Sequence, residues 1–156
     1  MAQTLNDTFW TRISDVRAGL LSAAGERPVP MAPLARRDDN AIWFITADGT
    51  AADRAAETKK TAAFHVADPK AHLYACIEGQ LEVSHDSEKL DELWSPMSAA
   101  WFDDGRKDGD VRLIKFTPST GELWATDGGA KYLFEVAKAN VTDDQPDAGD
   151  HGTLVF

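Results

Sequence analysis

The run Ala41-Ile42-Trp43-Phe44-Ile45-Thr46 constrains this chain more than any other stretch. So dense a run of β-branched and aromatic residues reads as a strand. Asp38-Asp39-Asn40 just before it is a turn signal, and residues 29–36 before that read as a second strand. Together the two runs predict a β-hairpin. Pro30 and Pro33 lie in the first run. A proline donates no backbone hydrogen bond, so at least part of this run cannot be a regular central strand.

The other apolar runs are equally short and punctuated. Residues 19–24, 62–67 and 72–84 read as strands, the last with Gly79 as a bulge. Residues 111–117 and 122–125 read as two more, around Pro118-Ser119-Thr120-Gly121. Three helices fall between and around them. Leu5, Phe9, Ile13, Val16 and Leu20 recur at helical spacing behind Thr4 or Asn6 as N-cap, which predicts a helix over 5–17. Residues 51–60 are rich in alanine and charge. Asp86 caps a third helix carrying Leu90, Leu93, Trp94 and Met97. Residues 131–138 fit a helix or a strand equally. The count is six to seven antiparallel strands with flanking helices. Few strands are separated by helices in βαβ order, so a doubly wound sheet is not expected. The fold class is mainly β (α+β), a closed or partly open antiparallel barrel. Residues 1–140 form one domain, and residues 141–156 read as an acidic, mobile C-terminal tail.

At 156 residues with 43% hydrophobic content, the chain can pack a core without staples. Its single cysteine, Cys76, can form no intrachain disulfide, which fits a reducing, cytoplasmic setting. The first residues, MAQTLNDTFWTRISD, lack a cationic start followed by an apolar run, so no secretory signal is expected. No stretch reaches the roughly 18 apolar residues of a membrane span. The net charge of −10 argues against nucleic acid and anionic membranes as partners. It also makes any local cluster of basic residues informative.

Familiar catalytic motifs are absent: there is no dinucleotide or phosphate glycine loop and no nucleophile elbow. His65, His72, His85 and His151 lack helical metal-site spacing and read as surface or structural residues, so no metal is expected. Cys76 lies mid-strand and reads as a small buried hydrophobe. Three segments remain. From Thr46 to Lys60 a strand end, a loop with Gly49 and Thr50, a helix start and Arg54 follow one another. Such a run can take a phosphate, or can be an ordinary solvated helix. Val29-Pro30-Met31-Ala32-Pro33 can offer free backbone groups to a planar ring, or can be an edge strand guarded by proline. Trp94, Trp101, Phe102 and Trp124 can stack on a ring, or fill a core or interface.

In order and spacing, these pieces resemble the pyridoxamine-phosphate-oxidase-like flavoproteins, in particular their general-stress-protein branch. The matching stretches are Pro30 to Ala32, Trp43 to Thr46, Gly79 to Val83, Lys89 to Trp94, Trp101-Phe102, Leu113 to Pro118 and Gly121 to Trp124. The resemblance implies a split β-barrel homodimer with flavin mononucleotide (FMN) at the interface, both subunits lining each site. It places Val29, Pro30, Met31 and Ala32 beside the flavin ring, and Thr46, Ala47 and Thr50 at the ribityl and phosphate. It puts Arg54 where the family usually has a phosphate-binding lysine, with Lys60 further along and Trp101 and Trp124 as stacking candidates. The chain departs from the family in three places. Val29 stands where an arginine is frequent, with Arg27 two residues off; the serine before the lysine is missing unless Thr50 replaces it; and the loop from Thr46 to Arg54 is about two residues longer.

What the resemblance implies is an FMN-dependent oxidoreductase acting on an unidentified small molecule, with a nicotinamide as a candidate electron donor. The alternatives are a flavin carrier or sensor without turnover, and a barrel that has lost its cofactor. No catalytic acid or base stands out. The oxidase activity of the family's namesake enzymes is not expected, because the chain ends in an acidic stretch and TLVF rather than their arginine-rich substrate motif.

Overall fold

The computed structural model of the protein describes residues 4–127, 129–143, 145 and 149–156. In chain order the elements are α1 (Leu5–Ile13), β1 (Gly19–Ala23), β2 (Val29–Met31), β3 (Leu34–Arg36), β4 (Ala41–Ala47), α2 (Ala51–Glu57), β5 (Thr61–Asp68) and β6 (Leu73–Ser84). They continue with α3 (Ser87–Leu93), α4 (Pro96–Ala99), β7 (Val111–Thr126), α5 (Gly129–Val141) and β8 (Gly149–Val155).

All eight strands belong to one antiparallel sheet, ordered β2-β1-β5-β6-β7-β4-β3, with β8 added on β7. The two ends of this order, β2 and β3, are joined in sequence by only Ala32 and Pro33. Three residue steps span at most about 11 Å, so the sheet must curl until its first and last strands nearly meet. The result is a split β-barrel, and the two prolines mark its seam. The expected hairpin is β3–β4, with Leu34 opposite Trp43.

Inner-face residues fill the barrel. Phe44, Phe64, Phe116, Ile42, Ile77, Leu81 and Leu123 form one buried cluster with Phe9 and Ile13 of α1 and Ala52, Ala55 and Ala56 of α2. The two helices sit toward opposite ends of β7. Arg12 of α1 donates to the carbonyls of His72 (2.7 Å) and Thr126 (2.8 Å), whereas Asp53 of α2 faces Arg112. Thr4 caps α1 through a reciprocal pair with Asp7, at 3.1 and 3.2 Å. A second, smaller cluster lies outside β3, β4 and β7, where Leu90 and Leu93 of α3 cover Ala41, Trp43 and Leu113.

The structure differs from the sequence reading at several places, among them the helix behind Asp86, which ends at Leu93 and leaves Met97 in the separate α4, and it decides residues 131–138, which that reading left open. Helix α1 ends at Ile13 rather than residue 17. The run 29–36 is two strands broken at the seam. Residues 111–117 and 122–125 are not separate strands but one of 16 residues. Its pairing with β6 shifts between Glu78 and Gly79, leaving Ser119 as the extra residue, so the proline's missing N–H falls at a bulge. Gly79 sits opposite, where a Cβ would lie 2.3 Å from the Thr117 carbonyl. Residues 131–138 lie within a helix, α5. Finally, β8 occupies the end of the stretch read as a mobile tail. It forms because β6 holds one edge of β7 from Leu113 to Ala125, while β4 holds the other edge from Val111 to Phe116; from Thr120 onward β4 leaves that edge open, and β8 takes it. Five α-helices are thus present among the described residues, and none is long and apolar enough to cross a membrane.

Candidate functional site

The seam and the head of α2 build the candidate site. β2 is the outermost strand, paired only with β1, in the register Val29–Leu21, Pro30–Leu20 and Met31–Gly19. Proline is tolerated in such an edge position, and the strand's other edge has no strand partner among the described residues. Met31 is half-buried against the barrel core, and Ala32 lies in the link to β3. The turn from β1 to β2 brings Glu26, Arg27 and Val29 against Ala51, Ala52 and Ala55 of α2, around a gap of only about 10 Å³.

The residues between β4 and α2 are already engaged with one another. Thr46 and Thr50 join their hydroxyls at 2.9 Å. Thr50 is the N-cap of α2: its hydroxyl accepts from the Asp53 N–H (3.3 Å) and donates to the Ala47 carbonyl (3.0 Å). The Asp53 carboxylate is buried and accepts from the Gly49 N–H at 2.8 Å. Arg112 lies 3.9 Å from Asp53 and 3.3 Å from Asp48. The carboxylates of Asp48, Asp53 and Glu57 come within 4.8 Å of one another, and Arg112 supplies positive charge among them.

Arg54 points to the other side, toward the β1–β2 turn. Its Nε and Nη2 donate to the two oxygens of Glu26, each at 2.8 Å, and its Nη1 donates to the Gly49 carbonyl at 2.5 Å. The Arg54 hydrogen bond, then the charges of Arg54 and Lys60, hold the Glu26 carboxyl below the usual glutamate range, and the same pair pushes Arg54 up. Lys60 donates to the Ala24 carbonyl at 3.0 Å. Arg54 and Lys60 therefore act on one carboxylate, with Arg27 next to it in a chain of net charge −10.

Of the residues expected at the site, Val29, Arg54 and Lys60 converge on the β1–β2 turn, and Thr46, Ala47 and Thr50 form the head of α2. The tryptophans do not join them within one chain. Trp101 is 84% exposed in the segment after α4. Trp124 lies on β7 with three strands between it and β2, its ring stacked on His151 at 4.9 Å. Sequence reasoning missed Glu26 and Asp53. An acid in the glycine turn ahead of the proline strand was the available signal for the first, and an acid three residues past an N-cap for the second.

Cys76 lies mid-strand on β6, half-buried rather than fully buried. Burial, then Glu78 and Glu122, pushes its thiol up, which disfavours the reactive thiolate. Among the histidines, His65 contacts the Ser22 hydroxyl at 3.2 Å and His151 pairs with Glu122 at 2.7 Å.

The family model for pyridoxamine 5'-phosphate oxidase-like proteins matches residues 5–147, and the chain belongs to that family. A solved structure of a candidate general stress protein 26 from Jannaschia sp. is 47% identical, covering 97% of this chain and 98% of that one with a TM-score of 0.92. A general stress family protein from Xanthomonas campestris is 25% identical over 83% of this chain and 93% of its own, with a TM-score of 0.71. The general stress FMN/FAD binding protein of Xanthomonas citri shares the fold at 24% identity, over 78% of this chain and 88% of its own, with a TM-score of 0.69. Among curated proteins none matches the chain.

Proposed function

We propose that this protein is a flavin-binding protein of the general-stress type, a homodimer that holds FMN at the seam between subunits and passes electrons to a small molecule. The observation that carries the reading is the open edge of β2 beside the basic group Arg27, Arg54 and Lys60. An unpartnered strand edge can meet the polar rim of a flavin ring, and basic residues suit its phosphate. The description of the Xanthomonas citri neighbour as FMN/FAD binding supports the same reading. The homodimer is supported by the outer face of β1, β5, β6 and β8. This face exposes Leu20, Trp124 and Val155. A partner's Trp101 or Trp124 then becomes available to the seam. The lone free thiol suits a cytoplasmic location.

A bound flavin supplies the redox chemistry. This chain's own share is positional: β2 offers backbone groups, Met31 offers an apolar wall, and a second subunit excludes water. The absorption spectrum of the purified protein tests the reading, with mass identification of what denaturation releases. Flavin bands and FMN are expected. A colourless protein that takes up no flavin overturns it in favour of a cofactor-free barrel. Reduction by a nicotinamide followed by reoxidation separates an oxidoreductase from a carrier or sensor. Light scattering is expected to give twice the chain mass, and a flavin-loaded monomer rejects the interface.

A further inference from the structure

All three nitrogens of the Arg54 guanidinium are taken: two by the Glu26 carboxylate, in a parallel fork, and one by the Gly49 carbonyl. This is the geometry in which arginine grips a phosphate or carboxylate. Glu26 also feels the charge of Lys60, Arg54 feels that of Asp53 as well, and Arg27 has no ion-pair partner among the described residues. As it stands, the site offers the terminal phosphate of FMN no free guanidinium nitrogen of Arg54.

We propose that the Glu26 carboxylate occupies the anion position on Arg54, so that a phosphate monoester binds this protein only by displacing it. Glu26 then sets flavin specificity: it lowers the advantage of FMN over riboflavin, which lacks the phosphate. The flavin part rests on the function proposed above, whereas the anion part does not. Half of the Arg54 side chain is exposed, so an anion can approach it from solvent, whereas the Glu26 side chain is 18% exposed and gives up a two-point pair when it leaves. The β1–β2 turn that carries Glu26 contains Gly25 at a φ of +83°, a conformation that suits glycine.

Glu26→Gln tests this by removing the charge while keeping the shape, and Glu26→Ala serves as a second variant because a glutamine amide can still accept from Arg54. Inorganic phosphate is expected to raise the melting temperature of both variants at concentrations that leave the wild type unchanged. The ratio of riboflavin to FMN dissociation constants is expected to rise roughly tenfold, the worth of one charge-assisted contact. Adding Arg54→Ala to Glu26→Ala is expected to abolish both effects. Equal phosphate responses in wild type and variants overturn the proposal, as does an unchanged flavin ratio in proteins that bind both flavins. If the variants respond to phosphate but no form binds flavin, the anion position stands and the flavin reading falls.

Discussion

On the inner face of the sheet, Leu21, Phe64, Val66, Ala75, Ile77 and Leu123 are at most 5% exposed. One step along the same strands, Leu20 is 46% exposed and Trp124 41%, among His65, Cys76 and Glu122. The outer face is the more polar, with Ser22, His65, Glu78 and Glu122 beside Leu20 and Trp124, and the two are finished differently. The inner one closes within a single chain, because the sheet curls on itself and α1 and α2 fill its ends. On the outer one, α3 covers β3, β4 and the start of β7. An antiparallel sheet can leave one face to water, but then that face is usually polar. Leu20, Tyr74, Cys76, Trp124 and Val155 give this one an apolar component, which the proposed second copy would cover. Folding and assembly should therefore be separable by mutation.

The largest effect is expected on the inner face. Phe64 is fully buried, its ring 5.2 Å from that of Phe44 and directly under Gly19. Phe64→Ala is expected to cost about 3–5 kcal/mol in chemical denaturation, through lost burial and the cavity left behind. A loss under about 1 kcal/mol would mean that the inner face is not the folding core.

Next comes the outer face. Leu20→Glu and Val155→Glu place charge on it without touching the core. Each is expected to weaken the dimer by about 2 kcal/mol, roughly 30-fold in dissociation constant, read by light scattering on dilution. The denaturation slope of the resulting monomer should match the wild type. If either variant unfolds as Phe64→Ala does, the faces are not independent.

Much of this contrast was legible because strand period and burial coincide. Residues 61–68 alternate in both type and exposure, and their placement followed. The seam was legible too, since Pro30 and Pro33 forbid a regular central strand. What failed depends on distant partners. Local rules end a strand at Pro118, but the break is absorbed by a bulge against Gly79. The sequence GDHGTLV has little β-propensity, yet it pairs because β7 has an open edge there and Gly152 leaves room for Leu5. At the site, Arg54 and Lys60 stood out as basic residues in an acidic chain. Glu26 did not, because it is 28 positions from Arg54 and meets it only when the β1–β2 turn lies over α2.

The smallest expected effect is a rate, and it bears on the same outer face. Cys76 lies on β6 opposite His65 on one side and Glu122 on the other. Burial and the two nearby glutamates raise its pKa, so at neutral pH a smaller share is thiolate than in a free cysteine. Alkylation needs the thiolate, so it is expected to run several-fold slower than for an unfolded control, with its pH profile displaced upward. Glu122→Gln removes one of the raising charges and should bring the profile part of the way back. Concentration supplies the second lever. If a partner subunit covers this face, dilution through the dimer dissociation constant should speed alkylation, and Leu20→Glu should be fast at every concentration. A rate independent of dilution in the wild type would leave the thiol's raised pKa intact as an effect of its own strand, while showing that no second copy sits over Cys76.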